Sequence, residues 1–135
     1  MKNNSETVGQ LYAAFGRGDI PAILDSLDDD VQWEQWEQPT EAQKAGVPWL
    51  QPRRGKAGAR EFFSIVSTMQ FHAFDVRNLM AGGNQVAASV FVDVTSPTGK
   101  RIQDEEIHLW TFDADGKVIG FRYYIDEARQ IAAAG

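Results

Sequence analysis

His108 is one of two histidines in the chain, and its neighbours in sequence decide what chemistry it can do. The run from Lys100 to Phe112 has the alternation of a strand, which puts Glu106, His108 and Trp110 on one face. An imidazole beside a carboxylate can donate a hydrogen bond or move a proton near neutral pH. The same spacing equally suits a half-buried histidine that Glu106 merely satisfies, so both readings stand. On the next strand Phe121, Tyr123 and Ile125 share a face, as do Ala88, Val90 and Val92 on the preceding one. His108 and Tyr123 are therefore the candidate catalytic pair. The wall of their cavity is expected from Trp33, Trp49, Phe62 and Trp110, together with Val90, Val92, Phe121 and Ile125. Such an apolar pocket, with polar tips at His108, Tyr123 and Glu34, suits a flat or cyclic organic ligand.

Other chemistries find less support. Asp104-Glu105-Glu106 beside Arg101 resembles a metal cluster in composition, but adjacent strand residues point to opposite faces. His72 and His108 lack the spacing that holds a metal on a helix, so no metal and no cofactor are expected. The chain has no cysteine, which removes disulfides and thiolate nucleophiles. With a formal net charge of -6, it would repel a polyanion, so no nucleic-acid partner is expected. The basic residues Lys44, Arg53, Arg54, Lys56 and Arg60 read as a loop entering a helix. Lys2-Asn3-Asn4-Ser5-Glu6 lacks the apolar core of a signal peptide, and no run approaches the ~20 apolar residues of a membrane span. A cytoplasmic location is the expectation.

At 135 residues the chain is expected to form one domain, 1–135, around a single core. Val8, Leu11, Tyr12 and Phe15 have helical spacing, and Asn3 with Glu6 looks like a capping box. Gly16-Arg17-Gly18 ends that helix. Asp19 and Pro21 open a second around Ile23 and Leu24, which Asp28-Asp29-Asp30 closes. Val31 and Trp33 make a short strand. The stretch from Pro39 to Pro52 reads as a long binding loop, with Pro48-Trp49-Leu50 at the cavity mouth. A third helix runs from Lys56 to Met69. Four strands follow, Phe71 to Met80, Gln85 to Thr95, Lys100 to Phe112 and Lys117 to Ile125, joined by turns rich in Gly, Asn, Asp and Pro. They predict an antiparallel meander. Glu127 to Ala134 closes the chain as a short helix for which Asp126 is the N-cap.

Helices first and a long sheet last imply an α+β domain whose three N-terminal helices cover one face of a curved antiparallel sheet. This order, with Gly18-Asp19-Ile20-Pro21-Ala22-Ile23, Asp29-Asp30-Val31-Gln32-Trp33-Glu34, Gly55-Lys56-Ala57 with Glu61-Phe62-Phe63, and Trp110 to Val118, resembles the ketosteroid isomerase-like and SnoaL-like polyketide cyclase branch of the nuclear transport factor 2-like superfamily. The Val47-Pro48-Trp49 loop is similar to the subset of that superfamily without an assigned reaction. The resemblance implies a cone-shaped α+β barrel and a homodimer made through the outer sheet face, where Phe91 and Leu109 would otherwise be exposed.

The resemblance also assigns roles. His108 resembles the position of the protonated aspartic acid in the isomerase oxyanion hole, and Tyr123 that of the cyclase aspartate. The isomerase general base corresponds to Gln35, which cannot take a proton at ordinary pH. Strand alternation turns the neighbouring Glu34 outward as a solvated carboxylate, and leaves Glu37 as another candidate. The isomerase tyrosine falls near Leu11, with Tyr12 on a different part of the helix surface. The leading expectation is therefore a metal-independent acid-base enzyme, of isomerase, cyclase or hydratase type, acting on a hydrophobic carbonyl compound. The alternatives are a non-catalytic carrier of a small apolar ligand and a dimeric interaction module.

Overall fold

Asn3 starts the first helix by accepting a hydrogen bond from the Glu6 N–H at 2.8 Å, which satisfies a donor the helix cannot satisfy itself. The computed structural model describes residues 3–135. Helix α1 (Asn4–Gly16) buries Val8, Leu11 and Ala14. Asp19 caps α2 (Ile20–Asp25) by accepting from the Ala22 N–H, with Pro21 in the first turn where its missing N–H costs nothing. Strand β1 (Leu27–Trp33) follows directly and contains Asp28-Asp29-Asp30, which were expected to break the pattern. Those three carboxylates are not buried there, so the strand tolerates them.

The segment from Pro39 to Pro52 is not the open loop expected. It folds into α3 (Glu41–Lys44), closed by a Thr40–Gln43 capping box, and a 3-10 turn (Pro48–Leu50). Val47, Trp49 and Leu50 are buried, so this stretch is wall where a mouth was expected. Strand β2 (Arg53–Arg54) leads into α4 (Gly55–Val66). Gly55 has φ +73°, and a Cβ there would stand 3.2 Å from the Asp29 carbonyl oxygen, so the strand-to-helix corner requires glycine.

The meander is β3 (Gln70–Gly82), β4 (Gln85–Thr95), β5 (Arg101–Phe112) and β6 (Val118–Tyr124), antiparallel throughout as the turn residues predict. Strand β1 pairs with β6 in parallel, a contact between distant segments that no turn announces. The six-stranded order is β2-β1-β6-β5-β4-β3, so the α+β barrel stays open between β2 and β3. Helix α5 (Glu127–Ala134) is capped by Asp126, which accepts from the Arg129 N–H at 3.2 Å.

Helix α4 packs on β1, and α1 on β3 and β4. Between them Trp33, 1% exposed, stacks on Phe121 at 4.4 Å and meets Phe62 at 5.2 Å and Trp110 at 6.1 Å. Each such ring buries roughly 150–250 Å², worth about 4–6 kcal/mol gross at ~25 cal/mol per Å². On the outer face Phe91 lies half-buried under the Arg77 guanidinium at 4.8 Å, and Leu109 is also half-buried. The apolar surface left open lies instead on β3, at Phe71, Val76, Leu79 and Met80, with Tyr124 on β6. No helix among the described residues is long and apolar enough to cross a membrane.

Candidate functional site

The period of two on β5 turns Ile102, Glu106, His108, Trp110 and Phe112 inward, and the β5–β6 register sets His108 opposite Tyr123. Their rings meet edge to face at 4.7 Å. Around them the fold forms a largely apolar cavity of about 70 Å³ that opens to solvent, room for several waters. Trp33, Trp49, Phe62, Val92, Trp110, Phe121 and Ile125 line it together with His108 and Tyr123. Val90 does not line it: it is fully buried in a separate cluster with Ala88 and Val92, against which Tyr12 and Phe74 pack. The half-buried or exposed rings of Phe15, Phe71 and Phe74, with Met69, complete one part of the wall.

One hydrogen-bonded chain crosses this wall. Tyr12 Oη lies 2.7 Å from His108 Nδ1 and accepts from Trp110 Nε1 at 3.0 Å. His108 Nε2 lies 2.9 Å from Glu106 Oε1. On the far side of that carboxylate Gln130 Nε2 approaches Glu106 Oε2 at 3.5 Å, while Gln130 Oε1 accepts from Trp49 Nε1 at 2.6 Å. An indole N–H can only donate and a carboxylate only accepts, so with Glu106 ionised and the imidazole neutral the chain runs one way. Trp49 donates to Gln130, which donates to Glu106. His108 Nε2–H donates to the same carboxylate, leaving Nδ1 as the acceptor of the Tyr12 O–H. Both imidazole nitrogens are thus engaged, and Tyr12 lines the cavity with the other members of the chain.

Two members of this chain were not anticipated. Helical geometry puts Tyr12 one turn beyond Val8, so it does reach the cavity, contrary to the expectation that it occupies another part of the surface. Its spacing from Val8 and Leu11 was the available signal. Gln130, 2% exposed, comes from α5, and nothing in that Ala-rich segment marks it.

Burial pushes the Tyr12 hydroxyl well above the usual phenol range; the Trp110 N–H opposes the shift and the Glu106 charge adds to it. Burial raises Tyr123 likewise, helped by Glu106 and Glu34. Both are neutral donors. Tyr123 Oη has no hydrogen-bond partner among the described residues, although Tyr123 lines the cavity. The Trp33 Nε1–H is also buried without a partner.

Glu34 departs from the expectation of a solvated carboxylate. It is 3% exposed, has φ +57°, and its Oε1 accepts from the Tyr123 N–H at 2.6 Å. The left-handed backbone breaks the strand alternation just after Trp33 and swings the side chain in. Burial raises its carboxyl to about 7, against the Tyr123 N–H, the Trp36 indole and the Arg122 guanidinium, which favour the charge. Trp36 Nε1 stands near enough to act electrostatically but makes no well-formed hydrogen bond. Glu34 lies outside the cavity wall and clips the end of β1 to β6.

The remaining candidates take structural places. Gln35 donates to the Arg53 carbonyl at 3.0 Å, Asp104 and Glu105 pair with Arg129 and Arg77, and exposed His72 meets Thr95 Oγ1 at 2.8 Å. Among the described residues no group of three or more His, Asp or Glu side chains converges as a metal site.

A curved open sheet packed on helices around an apolar cavity, with a polar chain in its wall, defines the nuclear transport factor 2-like class of α+β domain. Within it, residues 8–121 match the SnoaL-like domain, and the chain belongs to that family. No curated protein matches it. Among solved structures it is similar to a nuclear transport factor 2-like protein of unknown function from Burkholderia pseudomallei, with 24% identity and a TM-score of 0.80 over 99% of this chain and 98% of that one. It is also similar to TerC co-crystallised with polyporic acid, at 26% identity and TM-score 0.77, covering 97% of each chain. SalBIII, an epoxide hydrolase/cyclase-like enzyme of pyran ring formation in the polyether salinomycin, matches at 21% identity and TM-score 0.68 over 90% of this chain and 88% of its own. With SalBIII, as with the Burkholderia protein, the likeness is one of fold.

Proposed function

We propose that the protein is an acid-base enzyme that moves a proton on a compact, hydrophobic carbonyl compound, with Tyr12 as the group in contact with the substrate. The observation that carries this reading is the directed chain from Tyr12 through His108 to Glu106. Tyr12 Oη takes the proton from the carbon beside the carbonyl as its own proton passes to His108 Nδ1. The electron pair left on carbon moves to the carbonyl oxygen, which the free Tyr123 hydroxyl meets. Glu106, held by Gln130, stabilises the imidazolium that forms. Because burial disfavours a free Tyr12 phenolate, the two proton shifts run together. Return of the proton at another position completes an isomerisation, or sets up a ring closure. Family relatives whose names tie them to polyporic acid and to pyran ring formation support a small organic substrate.

The test is exchange of α-hydrogens for deuterium in a panel of small ring ketones, followed by NMR in D2O. Exchange above the buffer rate is expected for at least one member. Binding without any excess exchange would replace the enzyme with a carrier.

We also propose a homodimer formed over the open apolar side chains of β3, most of which the register sets on the sheet face that carries His108. Leaving such area in water costs ~25 cal/mol per Å², and a second copy would cover it. Sedimentation is expected to give twice the monomer mass at micromolar concentration; a monomer throughout would rule the dimer out.

A further inference from the structure

We propose that the cavity takes acidic enols and phenols as their anions, and that each anion bound draws one proton from solution onto His108. This rests on the reading that Tyr12 and His108 share a mobile proton. The first observation is the make-up of the wall: it contains no lysine or arginine, and its one carboxylate is Glu106. An anion entering such a wall meets no standing positive charge. His108 is the group there that can supply one.

The second observation is a count of donors. In the chain as it stands the Tyr12 proton is committed to His108 Nδ1, and the Trp110 N–H to Tyr12. Neither is left for a ligand oxygen. Adding one proton changes this: Nδ1–H now donates to Tyr12 Oη, and the Tyr12 O–H is released toward the cavity. Tyr12 then accepts twice and donates once, which completes its capacity. The released hydroxyl and the unpartnered Tyr123 hydroxyl give an oxyanion two donors, and the imidazolium behind them stays balanced by Glu106. Charge is conserved over ligand and wall, since one anion and one proton arrive together.

The groups that face His108 are consistent with a single titrating unit. Glu106 lies on its own strand, Tyr12 faces it from α1 and Tyr123 from β6. Strand β4 presents Ala88 and β3 presents Phe74, while α5 reaches it only through the Gln130 amide on Glu106. Both tyrosines are held neutral by burial, which leaves the hydrogen-bonded His108–Glu106 pair to take the proton, with Nδ1–H turned to Tyr12 in either arrangement.

The bound state so described has the charges of the enolate stage of the proposed reaction, with the proton on His108 and the negative charge on oxygen. Ligands that rest as such anions would be held without turnover.

The experiment is calorimetric titration of the wild-type protein with 4-nitrophenol at pH 8, in phosphate and in Tris, whose ionisation enthalpies differ. The difference in heats is expected to show uptake of about one proton per ligand. The absorbance of the bound ligand should keep its phenolate band, which separates protonation of the protein from protonation of the ligand. 4-Nitroanisole, the neutral isostere, should bind with no uptake. In His108→Gln the uptake should vanish and nitrophenolate should bind at least about tenfold more weakly, with loss of a charge-assisted bond. Zero uptake in the wild type, loss of the phenolate band, or failure of 4-nitrophenol to bind overturns the inference. Full uptake in Glu34→Gln, whose wild-type carboxyl stands at about 7, would set that carboxyl aside even if His108→Gln does not fold, and its loss there would overturn the assignment to His108. None of these titrations depends on turnover, so the deuterium-exchange result judges the enzyme reading separately.

Discussion

On the proposed mechanism Tyr12→Phe is expected to lower turnover by about 10²–10³-fold, because it would remove the atom through which the substrate proton enters the protein. The ring stays, with its contacts to Trp110 at 5.8 Å and Phe74 at 5.9 Å, so the cavity keeps its shape. What is lost is one hydroxyl, which leaves the Trp110 N–H and His108 Nδ1 without a partner. That costs roughly 1–3 kcal/mol of stability for each group, within the margin of an ordinary domain. The deuterium-exchange rate in the variant, set beside its urea midpoint, separates the two effects. Exchange within twofold of wild type in a folded variant would remove Tyr12 from the chemistry.

The second large effect concerns stability and pH. Glu34 has an ordinary carboxyl value of 4.5 when exposed and about 7 in the folded protein. The folded state therefore holds the proton more tightly than the unfolded chain. Its contribution is fully present below pH 4.5 and is lost as pH rises through 7. The gap corresponds to on the order of 3 kcal/mol. Asp93, paired with Arg101 at 2.6 Å and lowered to about 2, acts in the opposite sense and only in acid, below its ordinary 3.8. Between pH 5 and 8 the Glu34 contribution stands apart from it. Glu34→Gln keeps a carbonyl oxygen for the Tyr123 N–H and removes the charge, so it should be more stable than wild type at pH 8 and nearly equal at pH 4.5. Urea midpoints for both proteins at the two pH values measure this; parallel pH dependences would show that Glu34 does not carry the charge described.

The meander was legible because its turns are local: Asp113-Ala114-Asp115-Gly116 closes on itself, with Asp113 Oδ1 accepting the Asp115 and Lys117 N–H groups at 2.9 Å. The parallel pairing of β1 with β6 was not, because nothing local to Leu27–Trp33 names a partner some ninety residues on. Helix α3 is a single turn, too short for periodicity to register, and only its Thr40–Gln43 cap betrays it. In the site, strand parity correctly brought His108, Tyr123, Trp110 and Phe121 together. It failed for Glu34, where one residue with positive φ reverses the direction that alternation assigns. Tyr12 turned on one position of helix rotation, a resolution that matching to a related sequence does not give. Gln130 depended on how α5 docks, which is a property of the assembled core and of no segment alone.

The polar chain joins residues that lie far apart along the polypeptide: Tyr12 and His108 are 96 positions apart, and Trp49 and Gln130 are 81. Closing so long a loop costs little more stability than closing a short one, because the entropy grows only with the logarithm of length. Speed is another matter, since contacts of high sequence separation slow the search for the native state. The chain of hydrogen bonds therefore exists only once α1, β5, the 3-10 turn and α5 have met, and it reports on whether these distant segments have reached their native arrangement.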